Sequence, residues 1–331
     1  MKQLSDRIVA KLQAEMQVPD LAGTRYSVVR HLARGGMGSV WLADDMVLNR
    51  RVALKVLDLV APADDLGALL LREARILAGL EHPGIVPVHD AGTLADGRAF
   101  YCMKYVEGQT LAQHIVGKNL SEKLRLLERI AEPLDFAHAR GFIHRDLKPE
   151  NIMIGAFGEV LVMDWGLAKV AAAGRKPTQD GISMVVPDTQ DSSRVTGQGS
   201  VLGTPGYMSP EQEGGGNEVD HRTDIFSMGA LLAFMLTGIS SEEAPTATRA
   251  VPRPLRAICE KAMASDPNAR YQSAREMAAD TARYLSSEPV LAYPEGLFER
   301  VGRIYARHRT AIVLVGAYLL MRVFFILFAH R

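Results

Sequence analysis

The chain has 331 residues, and its 38 lysines and arginines balance 38 aspartates and glutamates for a formal net charge of zero. That balance argues against a nonspecific nucleic-acid binder, so no nucleic-acid partner is expected. Two distant cysteines, Cys102 and Cys259, exclude a disulfide framework or a cysteine metal cluster and suit a reducing compartment.

Met1 to Ala22 is too charged for a secretory signal. Leu4, Ile8, Leu12 and Met16 recur at helical spacing, which predicts a short amphipathic helix packed on the body of the protein within an extension over 1–25. Strands are predicted over Tyr26–Leu32, leading into a glycine-rich turn, then Ser39–Ala43 and Arg51–Leu57. Ala68–Leu80 carries helical apolar spacing at Leu69, Ile76, Leu77 and Leu80. Further strands are predicted near Val86–Ala91 and Arg98–Met103. Beyond Gly108 the pattern turns helical, with Leu120–Arg140 stopped near Gly141, a buried Asp224–Thr237, Pro254–Ala264 and Ser273–Leu285. A small β-rich part followed by a larger helical part predicts an α+β fold of two lobes with a cleft between them.

The chemistry concentrates in His144-Arg145-Asp146-Leu147-Lys148-Pro149-Glu150-Asn151 and in Asp164-Trp165-Gly166. Asp146 can orient an attacking hydroxyl and accept its proton. Lys148 can neutralise charge on a moving phosphoryl group, and Asn151 and Asp164 offer hard oxygens to Mg²⁺. The two runs resemble the catalytic loop and metal-binding triplet of protein kinases, with Trp165 where phenylalanine is commoner. Over residues 26–287 the resemblance is to bacterial serine/threonine protein kinases of the eukaryotic-like (Hanks) class. It implies an N-lobe over 26–103, a hinge over 104–108 and a C-lobe over 109–287.

The resemblance also assigns a nucleotide half. Leu32-Ala33-Arg34-Gly35-Gly36-Met37-Gly38-Ser39-Val40 resembles the glycine-rich loop over the phosphates, with Ala33 where the family pattern begins with glycine. Ala53 and Lys55 lie in Val52-Ala53-Leu54-Lys55, which resembles the third-strand lysine motif, and Glu73 is the expected partner of Lys55. Met103 is the implied gatekeeper, with the backbone at Lys104 and Val106 reading the adenine edge. The implied cofactors are ATP and Mg²⁺, with Mn²⁺ as a substitute.

Gly203-Thr204-Pro205-Gly206-Tyr207-Met208-Ser209-Pro210-Glu211 resembles the end of a protein-kinase activation segment. It implies serine or threonine of proteins as the acceptor, with Thr204 near Asp146 and Lys148. Glu211 is expected to pair with Arg270, Asp224 to anchor the catalytic-loop backbone, and His144, Trp165 and Leu77 to stack between the lobes. The polar stretch 169–204 is expected to carry an activating autophosphorylation, favoured at Thr196, with Arg145 as the receiving charge and a homodimer as its route. Phosphopeptide mapping of that stretch decides this. Ile239–Pro252 is short where a substrate-docking helix is expected.

Thr310–Ala329 is apolar apart from Arg322. It follows a basic 288–309 stretch with Arg300, Arg303, Arg307 and Arg309. It is expected to cross a cytoplasmic (inner) membrane once, with the kinase domain cytoplasmic. A wholly cytoplasmic protein is the alternative location. A membrane-anchored, nucleotide-binding pseudokinase scaffold is the alternative function.

Overall fold

The computed structural model describes residues 18–35, 38–57, 66–165, 169–170, 206–214, 219–239, 251–296, 299–300, 302 and 309–328. Five strands form one antiparallel sheet: β1 (Tyr26–Arg34), β2 (Gly38–Asp45), β3 (Arg50–Leu57), β4 (Val88–Thr93) and β5 (Ala99–Lys104), in the order β1-β2-β3-β5-β4. Helix α1 (Leu66–Gly79) covers it. Leu70, Ala74 and Leu77, spaced four and three apart, are buried and set the face that meets the sheet. Leu21, just ahead of β1, joins Tyr26, Trp41 and Phe100 in a small cluster on the outer side. The amphipathic residues Leu4 to Met16 lie outside the described residues.

The second lobe is built on α3 (Leu120–Ala139). Asn119 and Glu122 form its capping box, and Leu124, Leu127, Ile130, Leu134 and Ala137 bury one face. Gly141 stops it as expected, with a φ of 80° that favours glycine. On α3 pack α5 (Arg222–Thr237), buried from Thr223 to Met235 on nearly every side, and α7 (Ala274–Leu285), while α6 (Arg253–Ala262) packs on α5 and α7. One apolar core runs through both lobes, from Ala53, Leu77 and Met103 to Leu134, Leu231 and Met277.

Short elements are what periodicity could not predict. These are β6 (Gly108–Thr110), α2 (Leu111–His114), β7 (Phe142–Ile143), β8 (Ile152–Gly155), β9 (Val160–Val162), β10 (Lys169–Val170) and α4 (Pro210–Glu213). Strands β6, β8 and β9 form one sheet, and β7 pairs with β10. These ladders fix the segments on either side of His144–Asn151 and Asp164.

After α7 the chain stays on the lobe. Asp280, 1% exposed, accepts hydrogen bonds from the Leu291 and Ala292 amides at 2.6 and 2.9 Å and from the Tyr271 hydroxyl at 2.8 Å. The final helix, α8 (Arg309–Phe328), carries exposed apolar side chains from Val313 to Ile326. No helix among the described residues is long and apolar enough to cross a membrane. The described residues therefore give no support to the crossing expected over 310–329. The shortened region at Ile239–Pro252 falls, over 240–250, outside the described residues.

Candidate active site

Strand β3 presents Lys55 and α1 presents Glu73. The Lys55 ammonium lies 3.0 and 3.3 Å from the two Glu73 oxygens and 2.7 Å from Asp164 Oδ1. Burial alone would lower the Lys55 pKa, but the Asp164 and Glu73 carboxylates reverse that and raise it. Burial opposes ionisation of Asp164, and the Lys55 charge and hydrogen bond hold its carboxyl below its ordinary value. Lys55 and Asp164 are thus charged together.

Beside this triad, Ala53 stands opposite Met103 in the β3–β5 ladder. Both are buried, as is Val106, while Leu32 and Val40 pack against the same core from the glycine-rich hairpin. Lys104 donates its amide to Pro87 O at 3.0 Å. In the hairpin, Ala33 pairs with Val40 and Arg34 with Ser39. The Gly35 amide donates to Gly38 O at 2.8 Å. A Cβ at Gly38 would meet the Val56 carbonyl, so the turn requires glycine there. Ala33 is not among the non-glycine residues of positive φ, so it sits in ordinary strand geometry. Gly36 and Met37 lie outside the described residues.

The catalytic-loop candidates converge on Asp146. Lys148 Nζ is 2.9 Å from Asp146 Oδ2. The Asn151 amide nitrogen donates to Asp146 O at 2.8 Å and to Asp146 Oδ2 at 3.1 Å. With its nitrogen so turned, Asn151 keeps its carbonyl oxygen as a hard donor. Lys55 bridges to Asp164, so the two halves meet. Arg145 and Asp164 hold φ of 69° and 57°, left-handed conformations that side-chain-bearing residues rarely adopt.

The loop is held from below. Asp224, wholly buried, accepts the His144 and Arg145 amides, each at 2.8 Å. It also accepts from His138 Nε2 at 2.7 Å. Burial opposes the Asp224 charge, and His138 holds its pKa below the ordinary value. His144 donates through Nε2 to Met163 O at 2.8 Å, which leaves Nδ1 to accept the Asp146 amide at 3.3 Å. The Trp165 ring lies 4.7 Å from the His144 ring, and its indole N–H donates to Val162 O at 3.3 Å. Tryptophan is accommodated because its extra polar group has a partner.

Glu211 and Arg270 form the expected pair, through two hydrogen bonds of 2.6 and 2.8 Å. Arg270 also donates to the carbonyls of Ala264, Ser265 and Arg222. Burial pushes the Glu211 carboxyl up, and Arg270 with the Thr223 and Ser209 hydroxyls brings it to about 2. Because the folded value lies below the ordinary 4.5, this carboxylate stabilises the fold fully above that ordinary value. The contribution is lost as pH falls towards 2. Between roughly pH 6 and pH 2 the unfolding free energy of the native chain should fall more steeply than that of Glu211→Gln; equal slopes would refute the assignment.

Three residues that spacing did not single out touch this machinery. Gln212 donates to Arg145 O at 2.8 Å, joining α4 to the catalytic loop. His138 supports Asp224, and Tyr101 donates its hydroxyl to Glu73 at 2.8 Å. Gln212 adjoins the predicted Glu211, which is the one sequence signal among them. Thr196 and Thr204 lie outside the described residues.

The protein kinase domain family matches residues 26–287. The chain is 35% identical over 300 residues to the serine/threonine-protein kinase PknD of Chlamydia felis, covering 80% of this chain and 31% of that protein. PknD of Chlamydia pneumoniae is 36% identical over 298 residues, with the same coverage of each chain. This chain thus spans about a third of the length of the curated relatives it matches. Among solved structures, the Mycobacterium tuberculosis PknI kinase domain superimposes with a TM-score of 0.59 at 26% identity, covering 81% of this chain and 98% of that one.

Proposed function

This chain belongs to the protein kinase family, and from that membership we propose that it transfers the γ-phosphoryl of ATP to serine and threonine hydroxyls of proteins. The observation that carries the reading is the continuity of the site. Lys55 is joined to Glu73 on one side and to Asp164 on the other, and Asp146 is seated between Lys148 and Asn151. A scaffold that only binds nucleotide does not require the second half. The Glu211–Arg270 clasp and the Gln212 bond to Arg145 O support a protein acceptor, since they fix the end of an activation segment against the catalytic loop.

Asn151 and Asp164 are two hard oxygen donors, the set that suits Mg²⁺, and they would hold it. When bound, the ion neutralises charge on the phosphates. Lys55 binds and orients the α- and β-phosphates. Asp146, aimed by Asn151 and Lys148, orients the acceptor hydroxyl and takes its proton at a carboxylate oxygen. Lys148 lies beside the charge that develops as the phosphoryl group moves.

The full chain, given radiolabelled ATP, Mg²⁺ and a generic basic protein, should place label on serine and threonine. Nucleotide binding without transfer would favour the scaffold, and label on a small molecule alone would exclude a protein acceptor.

The reading extends to the C-terminus as a membrane anchor over 310–329 with the kinase domain on the cytoplasmic side. The exposed apolar side chains from Val313 to Ile326 and the four arginines from Arg300 to Arg309 support it. Release of the full chain by carbonate extraction would overturn it.

A further inference from the structure

We infer that Tyr101 is a positioning residue of the nucleotide half, whose hydroxyl holds Glu73 and thereby sets Lys55 before nucleotide arrives. This rests on the kinase reading above. In the β3–β5 ladder Tyr101 stands directly opposite Lys55, so both side chains leave the sheet on one face. Glu73 of α1 meets them there. Its Oε1 accepts from Lys55 at 3.0 Å and from Tyr101 at 2.8 Å. The Lys55 ammonium also lies 5.6 Å from the centre of the Tyr101 ring.

Among the described residues Glu73 has these two side-chain donors, and it is 4% exposed. Lys55 is shared with Asp164, which it approaches more closely than Glu73. Movement of the ammonium towards Asp164 or towards phosphate therefore weakens its hold on Glu73. Among the described residues the phenol has no such second demand. It is fully buried, and burial first, then the Glu73 charge, raises its pKa well above the ordinary value, so it stays a donor. A phenylalanine would fill the same space, and the hydroxyl adds a fixed partner for a buried carboxylate.

Tyr101→Phe in the full chain keeps the ring and removes the bond. KM for ATP and the Kd of a fluorescent ATP analogue should each rise by about tenfold, the size of one hydrogen bond to a charged group, with KM rising more than kcat falls. In nucleotide-free protein the amides of residues 70–77 should exchange hydrogen faster. In a Glu73→Gln background the same substitution should change the Kd less than about twofold, as expected for coupled neighbours. Unchanged affinity and exchange would overturn the inference, as would an equal penalty in both backgrounds, which marks a packing effect. Absence of phosphotransfer by the unsubstituted chain would instead defeat the kinase reading, while exchange would still decide the role of Tyr101.

Discussion

Substituting Asp146 with asparagine is expected to lower phosphotransfer by about 10²- to 10⁴-fold, the contribution of a placed general base. The amide is isosteric and can still accept from Asn151, whose nitrogen lies 3.1 Å from the present Oδ2. What is lost is the negative charge that pairs with Lys148 and the capacity to take a proton. Nucleotide affinity should hold, because Lys55 is held by Glu73 and Asp164, and Ala53 and Met103 by the β3–β5 ladder. Initial rates and titration with a fluorescent ATP analogue separate the two quantities. A variant keeping more than about a tenth of the native rate would remove Asp146 from the role of base.

The second large effect is on stability. Arg270→Ala should cost about 3–5 kcal/mol, the usual consequence of removing one partner of a buried ion pair. The Arg270 side chain is wholly buried and serves Glu211 twice together with three carbonyls. Its removal leaves Glu211 without its cation and takes a donor from each of those carbonyls. For a domain of this size, about 2–4 °C per kcal/mol translates into a melting point lower by about 10 °C. Arg270→Lys should recover little of this, since one ammonium cannot reproduce the bidentate contact. Urea denaturation of the three proteins measures the cost, and a loss below about 1 kcal/mol would show that the clasp is not a structural centre.

What could be read from sequence follows from how locally each contact is encoded. Asp146, Lys148 and Asn151 belong to one short run whose spacing is the signal, and the structure places them around a single carboxylate. Glu73 was legible only once Lys55 had been placed, because a helical glutamate has no distinguishing pattern of its own. Tyr101 was not legible, since its meaning depends on the β3–β5 register that sets it opposite Lys55. Gln212 and His138 were hidden for a different reason. Gln212 acts on a backbone carbonyl and His138 on a carboxylate that serves backbone amides. Main-chain targets leave no complementary residue in the sequence. The long elements carry clear apolar periodicity, whereas two- to four-residue strands such as β7 and β9 exist through their ladders and have too few positions to show a period.

The tie between Asp224 and the catalytic loop has a consequence for synthesis. The His144 and Arg145 amides are received by a carboxylate 80 and 79 residues later in the chain, and Glu211 waits 59 residues more for its arginine. Translation runs from the N-terminus, and contacts of such separation close late. A nascent chain halted before residue 224 already contains Lys55, Glu73, Asp146, Asn151 and Asp164. It lacks the group that seats the loop carrying two of them, Asp146 and Asn151. Catalytic competence is thereby deferred until the C-lobe has been made, and a half-translated kinase has its reagents in place without the frame that aims them.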